Sequence, residues 1–173
     1  TTKLFGIAGW SGSGKTTLIV RLLPELIGHG VTVSTIKHAH HSFDIDTPGK
    51  DSHSHRSAGA TEVMVTSRDR WALMHENRTT PEPELEEVLS RMAAVDLILI
   101  EGFKADAIDK LEVHRTALGK DLLCAGDPRI VAVASETALP VVDVPVLDLD
   151  DPGGVAEFIL GHCGLAPGRR GAA

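Results

Sequence analysis

The feature that most constrains this chain is an eight-residue segment near its start, Gly9–Thr16, with the sequence GWSGSGKT. It fits the pattern G-x-x-x-x-G-K-[S/T] at every specified position. Glycines let a backbone turn tightly and present successive N–H groups to phosphate oxygens, and a helix that begins at the same point adds its dipole. An apolar run precedes the segment, Leu4–Ala8, and apolar residues at helical spacing follow it over Thr17–Ile27. This context favours a phosphate-binding P-loop over a glycine-rich turn that merely precedes a helix.

Each residue type in the loop has a chemical reason to be there. Lys15 is expected to reach the β- and γ-phosphates, and the Thr16 hydroxyl is expected to coordinate Mg²⁺. The other loop positions predicted to contact phosphate are Gly9, Ser11, Gly12, Ser13 and Gly14.

A carboxylate at the end of a neighbouring strand completes such a site. The segment DLILIE, Asp96–Glu101, is an apolar strand that ends in a carboxylate. Ligands of open α/β sheets collect at the carboxyl ends of strands, so we predict that Glu101 serves Mg²⁺ and the attacking water. A solvated strand end is the alternative. Asp96, at the opposite end, is interpreted as a cap or surface residue.

Strands alternate with helices along the chain, which predicts an α/β fold: a P-loop NTPase with a largely parallel sheet flanked by helices and an added β-hairpin. We expect one domain over residues 1–164 and a flexible tail over 165–173. Pro24 predicts a kink or early end in the first helix. The other predicted elements are strands over Val31–Lys37, Asp109–His114, Ile130–Ala134 and Val142–Val146, a hairpin over Glu62–Ser67 and Trp71–His75, and helices over 51–58, Glu84–Met92 and Val155–His162.

Composition excludes several classes of protein. A net charge of -7 argues against a general nucleic-acid binder, which needs a basic face. Cys124 and Cys163 form no C-x-x-C pattern, which argues against a disulfide framework or a cysteine zinc site. The apolar runs are far shorter than a membrane span, and no signal-peptide pattern opens the sequence. We therefore expect a cytoplasmic protein with reduced cysteines.

Histidines concentrate in one polar stretch, which holds His38, His40, His41, His53 and His55 among the nine of the chain. A Zn²⁺ site is conceivable, but adjacent histidines suit one tetrahedral site poorly, and a polar loop with substrate or phosphate contacts is favoured. Asp51, in the sequence GKDS, is the better candidate for chemistry. We hypothesise that it faces the γ-phosphate and orients water or a Mg²⁺-bound water.

Base recognition stays open at this point. No N-K-x-D signature is present, since Asn77 is the only asparagine. Ser135 and Glu136 follow a late strand and could read a base, although an ordinary strand exit fits them equally well. The residues therefore do not choose between ATP and GTP.

Six segments in chain order together resemble the molybdopterin-guanine dinucleotide biosynthesis protein B (MobB) family. They are AGWSGSGKTT at 8–17, IKHAHH at 36–41, DTPGKDS at 46–52, RWALM at 70–74, DLILIEGFK at 96–104 and IVAVASE at 130–136. The resemblance implies a homodimeric GTP-binding protein with weak GTPase activity. Such a protein assists the molybdopterin guanylyltransferase, a MobA-like enzyme that attaches GMP to molybdopterin and forms its guanine dinucleotide.

The resemblance also implies roles for individual residues. The phosphates would be held by Gly12, Gly14, Lys15, Thr16 and Thr17. Glu101 would serve Mg²⁺ and water. The cleft or the molybdopterin-facing surface would be lined by Lys37, His38, Asp51 and Lys104.

Two other functions compete with this interpretation. The loop is also similar to that of small-metabolite kinases that use ATP, although the arginines are scattered and form no lid-like cluster. The third possibility is a nucleotide-binding adaptor for which hydrolysis has no role. Because no arginine finger is identifiable, we predict slow attack of water on the γ-phosphate.

The apolar residues of the hairpin predict a contact with a second subunit. They are Val63, Val65, Trp71, Leu73 and Met74.

Overall fold

The computed structural model describes residues 1–39, 43–103, 107–140 and 142–165. Contacts group the chain into two compact units. The first combines Thr1–His38 with the described residues from Met92 onward, and the second is Ala39–Arg91. The expectation of one domain over residues 1–164 stays a prediction.

In the described residues the regular structure consists of eight strands and four helices. The strands are β1 (Lys3–Ala8), β2 (Val33–Lys37), β3 (Glu62–Thr66), β4 (Trp71–His75), β5 (Leu97–Glu101), β6 (Lys110–His114), β7 (Ile130–Ser135) and β8 (Val146–Asp148). The helices are α1 (Lys15–Gly28), α2 (Asp51–Ser57), α3 (Leu85–Ser90) and α4 (Pro152–Cys163). Two short 3₁₀ turns, Thr116–Leu118 and Leu123–Ala125, lie between β6 and β7 and were not predicted from the sequence.

The first unit is built on a six-stranded sheet in the order β2-β5-β1-β6-β7-β8, with every neighbouring pair parallel. Alternate residues of the central strands, including Phe5, Leu99 and Leu111, join one apolar core with α1 and α4. Burying each such side chain contributes about 1.5–3 kcal/mol. Because all strands run the same way, their carboxyl ends meet at one edge, and that edge carries the phosphate loop.

Helix α1 runs through Pro24 to Gly28, so of the two predicted effects of this proline the early end does not occur, and the kink stays a prediction. A proline inside a helix costs about 3 kcal/mol. Leu22 and Leu26, on either side of it, are fully buried, and each contributes burial energy of similar size. Pro24 itself lies on the exposed face, where water can bond the carbonyl that it leaves unpaired.

The last strand also departs from the prediction. β8 begins at Val146, not Val142, and has three residues. Pro145 precedes it and lacks an N–H donor, but its carbonyl accepts a hydrogen bond from the Val133 N–H at 2.9 Å. The proline therefore opens this edge strand rather than lying inside it.

The second unit contains α2, α3 and the antiparallel pair β3–β4. The hairpin was predicted, and its strands agree with the expected bounds to within a residue. Arg56 of α2 pairs with Asp46 at 2.7 Å, Asp44 at 2.8 Å and Glu76 at 3.4 Å, so one guanidinium holds a loop to this helix. Within the described residues, no helix is long and apolar enough to span a bilayer.

Candidate phosphate and metal site

The phosphate loop connects the end of β1 to the start of α1, as the motif predicts. Three of its glycines have positive φ: Gly9 at 143°, Gly12 at 80° and Gly14 at 95°. A Cβ on Gly9 would lie 2.6 Å from the Ser13 hydroxyl and 2.6 Å from the Val113 carbonyl oxygen. Glycine is therefore required there by both backbone conformation and close approach.

The start of α1 is suited to an anion. The first helical hydrogen bond joins the Leu18 N–H to the Gly14 carbonyl at 2.9 Å, so the N–H groups of Lys15, Thr16 and Thr17 precede the helical ladder. Helix α1, all of which is described, has no side-chain cap and no acidic residue in its first turn. Its positive end is thus left for a ligand.

Lys15 lies across the loop. Its ammonium donates to the carbonyl oxygens of Gly9 at 3.0 Å and Trp10 at 3.1 Å. Ser11 is exposed, whereas Ser13 is buried at 1% exposure. The lysine charge and the helix start therefore belong to one short segment, which is the arrangement that a polyphosphate needs.

Thr16, Glu101 and Lys37 meet beside this loop. The Thr16 hydroxyl lies 3.1 and 3.3 Å from the two carboxylate oxygens of Glu101. The Lys37 ammonium lies 3.4 Å from the same hydroxyl and 3.7 Å from Glu101 Oε1. Register explains the meeting, because Glu101 pairs with Ile7 of β1 on one side and with Lys37 of β2 on the other.

This group fits a Mg²⁺ ion that arrives with a polyphosphate. A hydroxyl and a carboxylate in contact are the protein ligands that such an ion uses directly or through water, while phosphate oxygens and water supply the rest. The described ranges hold no group of three or more His, Cys, Asp or Glu side chains placed to bind a metal. With one hydroxyl and one carboxylate, this pair leaves most coordination positions of such an ion to phosphate oxygens and water.

His38 closes the side of the site next to β5. Its N–H donates to the Glu101 carbonyl at 2.8 Å, and its ring lies 4.7 Å from that of Phe103. Gly102 has a φ of 106°, and a Cβ there would lie 2.5 Å from His38 Cβ. His38 thus shapes the turn after Glu101. Lys104, predicted nearby, lies outside the described residues, as do His40 and His41.

Asp51 belongs to the second unit, where it is exposed and begins α2. Its predicted role toward the γ-phosphate stays a prediction. His53 and His55 lie on the same helix, and His53 Nδ1 is 3.4 Å from the Ser57 hydroxyl. The preference for a polar loop over a zinc site stays a prediction.

The exit of β7 brings polar groups to the same edge of the sheet. Ser135 is buried, and its hydroxyl accepts a hydrogen bond from the Thr137 N–H at 3.3 Å. Glu136 forms an ion pair with Arg115, which follows β6. Arg115 Nε in turn donates to the Ser13 carbonyl in the phosphate loop at 3.0 Å. Base reading by Ser135 stays a prediction; Glu136 is the more exposed of the two.

A family model described as molybdopterin guanine dinucleotide synthesis protein B matches residues 4–136. The chain belongs to this family. The molybdopterin-guanine dinucleotide biosynthesis adapter protein of Escherichia coli (strain K12) is 43% identical over 162 residues, covering 91% of each chain. Its counterpart from Haemophilus influenzae is 41% identical over 159 residues, covering 90% of this chain and 86% of that protein.

Solved structures agree with this assignment to the MobB family. A crystal structure of molybdopterin-guanine biosynthesis protein B matches with a TM-score of 0.73 and 26% identity, over 92% of this chain and 99% of that one. The crystal structure of Bacillus subtilis MobB matches with a TM-score of 0.71 over 93% and 98% of the two chains; at 23% identity it shows the fold alone. The predicted P-loop α/β fold is confirmed.

One part of this MobB-family site was missed from the sequence: the connector from Arg115 to Asp127. The fully buried carboxylate of Glu112 accepts N–H bonds from Leu123 and Cys124, both at 2.9 Å, and so holds the connector to β6. Burial, together with the nearby Glu112, raises the pKa of the Cys124 thiol and so favours its protonated form.

The connector also contacts the phosphate loop itself. The Trp10 indole N–H donates to the Asp121 carbonyl at 2.9 Å, and the Lys120 ammonium lies 5.6 Å from the centre of that ring. A charged residue directly after a buried strand, as Arg115 is after β6, was the available signal.

Proposed function

We propose that this MobB-family protein binds GTP with Mg²⁺ at the phosphate loop, hydrolyses it slowly and acts as an adapter in making the guanine dinucleotide of molybdopterin. The observation that carries the proposal is the contact between the Glu101 carboxylate, at the end of β5, and the Thr16 hydroxyl. Thr16 lies in the first turn of α1, directly after the glycine loop. This contact places a Mg²⁺-type ligand pair beside a positive helix start and a lysine.

Each side chain then has a distinct task. Lys15 exchanges its loop carbonyl partners for β- and γ-phosphate oxygens, and the amides at the start of α1 bind the same oxygens. Glu101 accepts a proton or a hydrogen bond from water near the γ-phosphate. Lys37 limits the repulsion between this carboxylate and the polyphosphate, from 3.7 Å away. Thr16 and Glu101 would hold a Mg²⁺ ion, which would neutralise negative charge on the phosphates.

Slow hydrolysis is expected because Arg115, the arginine beside the loop, already has other partners. Arg115 lies beside the loop, but its guanidinium is engaged by the Ser13 carbonyl and by Glu136. Because an arginine that reaches the transferred phosphoryl group is worth roughly 10³–10⁵ in rate, a site in which this arginine has other partners is expected to turn over slowly.

The adapter role is supported by membership in the family and by the names of the two bacterial relatives. We propose that the partner is the molybdopterin guanylyltransferase and that molybdopterin or its guanine dinucleotide is handed between the two proteins. The guanine in that product supports the choice of GTP over ATP.

Calorimetric titration with GTP and with ATP, each with Mg²⁺, tests the nucleotide part of the proposal. We expect tighter binding of GTP, and a loss of about 100-fold or more in Lys15→Ala, because that ammonium serves the phosphates directly. Lys3→Ala is the matched control, since Lys3 is exposed at the opposite end of β1. Equal affinity in wild type and Lys15→Ala would contradict the site. Preferential ATP binding that a metabolite strengthens would favour a kinase instead.

A further inference from the structure

Two ion pairs lie at opposite ends of the ladder between β6 and β7. Asp109 and Arg129 precede the two strands and pair at 3.2 Å. Arg115 and Glu136 follow the two strands and also pair. Register explains both, because Lys110 pairs with Ile130 at one end and His114 with Ser135 at the other.

Only the pair at the carboxyl ends reaches the phosphate loop. Arg115 Nε donates to the Ser13 carbonyl oxygen at 3.0 Å. A Cβ on Gly14 would lie 3.4 Å from both Nε and Nη2 of the same guanidinium. The arginine therefore lies against the peptide that joins Ser13 to Gly14, and a side chain at Gly14 would press on it.

The direction of that peptide decides what the loop can bind. In a trans peptide the C=O and the following N–H point to opposite sides. A hydrogen bond that holds the Ser13 carbonyl toward Arg115 therefore directs the Gly14 N–H away from it. Gly14 is the residue before α1, and its N–H is one of the amides that a P-loop offers to phosphate.

We propose that Arg115 is a positioning residue that sets the direction of the Gly14 amide for phosphate binding, and that Glu136 holds Arg115 in place. The inference rests on the proposed phosphate-binding function of the same loop. Glu136 contributes through a charge-assisted contact, and the adjacent Thr116 and Thr137 hydroxyls are 2.7 Å apart, which ties the two strand exits together a second time. Phosphate affinity is thereby linked to the conformation of the β7 exit.

The test measures binding of Mg²⁺-tripolyphosphate and Mg²⁺-GTP by calorimetry in wild type, Arg115→Ala, Arg115→Lys, Glu136→Gln and Arg129→Ala. Arg115→Ala should weaken both ligands by the same factor, about tenfold or more, because it acts on the loop and not on the base. Glu136→Gln should weaken both by less, and Arg115→Lys should recover part of the loss. Arg129→Ala removes the matched ion pair at the far end of the ladder and should stay within about twofold of wild type.

Two further readouts separate positioning from general stability. The NMR amide signal of Gly14 should move in Arg115→Ala and Glu136→Gln but not in Arg129→Ala. Thermal unfolding of both variants reports their stability: Arg129→Ala removes one cross-strand ion pair, whereas Arg115→Ala removes a cross-strand ion pair and the bond to the Ser13 carbonyl, so its loss should be the larger.

Each outcome decides something. Unchanged tripolyphosphate affinity in Arg115→Ala overturns the inference and leaves the proposed function standing. If wild type binds tripolyphosphate but does not bind GTP more tightly than ATP, the proposed nucleotide choice is wrong. The tripolyphosphate affinities of the variants still decide the role of Arg115. If wild type binds neither ligand, both proposals are wrong.

Discussion

Two positive groups can neutralise the Glu101 carboxylate at the same place: the Lys37 ammonium and a cation bound with the nucleotide. Its side chain is 13% exposed, and its carboxylate contacts the Thr16 hydroxyl and lies 3.7 Å from the Lys37 ammonium. The lysine neutralises the carboxylate at the position where a nucleotide-borne cation would do so. The charge of Glu101, rather than its hydrogen-bonding capacity alone, is therefore what the proposed metal site uses.

Glu101→Gln keeps the shape and removes this charge. We expect the Mg²⁺-dependent gain in GTP affinity to fall by roughly 10–100-fold, the usual effect of losing a carboxylate that orients a bound metal. Affinity measured with excess EDTA should stay the same or rise, because one negative charge near the polyphosphate is gone. Titrations with and without Mg²⁺ check both statements. Glu157→Gln, on the exposed face of α4, is the control; an equal loss with EDTA would contradict a metal role.

At the scale of elements, Asp96 joins the starts of β2 and β5. Its carboxylate accepts hydrogen bonds from the Thr32 hydroxyl at 2.6 Å and the Thr32 N–H at 2.8 Å, and its N–H donates back to that hydroxyl at 2.9 Å. The interpretation of Asp96 as a cap or surface residue agrees with this exposed, hydrogen-bonded position. The bonds to Thr32 lower the pKa of Asp96.

A lowered pKa gives this contact a defined pH dependence. Because the charged form is favoured in the folded state, its stabilisation is fully present above the unfolded pKa of about 3.9 and is lost as pH falls through the lower folded value. Asp96→Asn should therefore reduce the free energy of unfolding at pH 7, and the difference from wild type should narrow as pH falls below about 4. Urea unfolding across this range measures it. Asp69→Asn, exposed in the hairpin turn, is the control, and a difference that persists in acid would contradict the account.

Elements whose own residues specify them were predictable. β1 and β5 are apolar runs buried on both faces, and α1 carries its buried leucines at helical spacing. β8 was not, because three edge residues with little burial carry almost no pattern. The spacing over Thr17–Ile27 predicted the first helix but not its continuity at Pro24, because burial of Leu22 and Leu26 comes from tertiary packing that local propensity does not contain.

The residues of the candidate site also divide into those that the sequence predicts and those that it does not. The glycine loop, Lys15 and Thr16 follow from contiguous residues, and Glu101 follows from its position at a strand end. Arg115 depends on the order of strands in the sheet, which places β6 next to β1 and brings residue 115 to residue 13. The sequence shows a charged residue at the end of a strand, but it does not show which strand lies beside the phosphate loop.

At the scale of the whole molecule, the hairpin of the second unit has one apolar exposed face. Met64 pairs with Leu73 and Thr66 with Trp71, and alternation places these pairs on the same side. Met64 is 54% exposed, Leu73 41% and Trp71 66%. Of the other apolar residues predicted for a subunit joint, Val63 and Val65 lie on the opposite face of the hairpin, where Val63 is 7% and Val65 46% exposed.

We propose that a second copy of the chain covers the Leu73 face of the hairpin and makes the homodimer. A two-stranded hairpin is marginal by itself, and pairing two of them buries apolar area that would otherwise meet water. Leu73→Lys places a charge in the middle of the face and should shift the protein from dimer to monomer, with a dimer dissociation constant raised about 100-fold or more. Sedimentation equilibrium over a wide concentration range measures this. Val20→Lys, which replaces a 63% exposed side chain on α1, should leave association unchanged. A wild-type protein that is monomeric at all concentrations would exclude the dimer, whereas a dimer insensitive to Leu73→Lys would move the interface elsewhere.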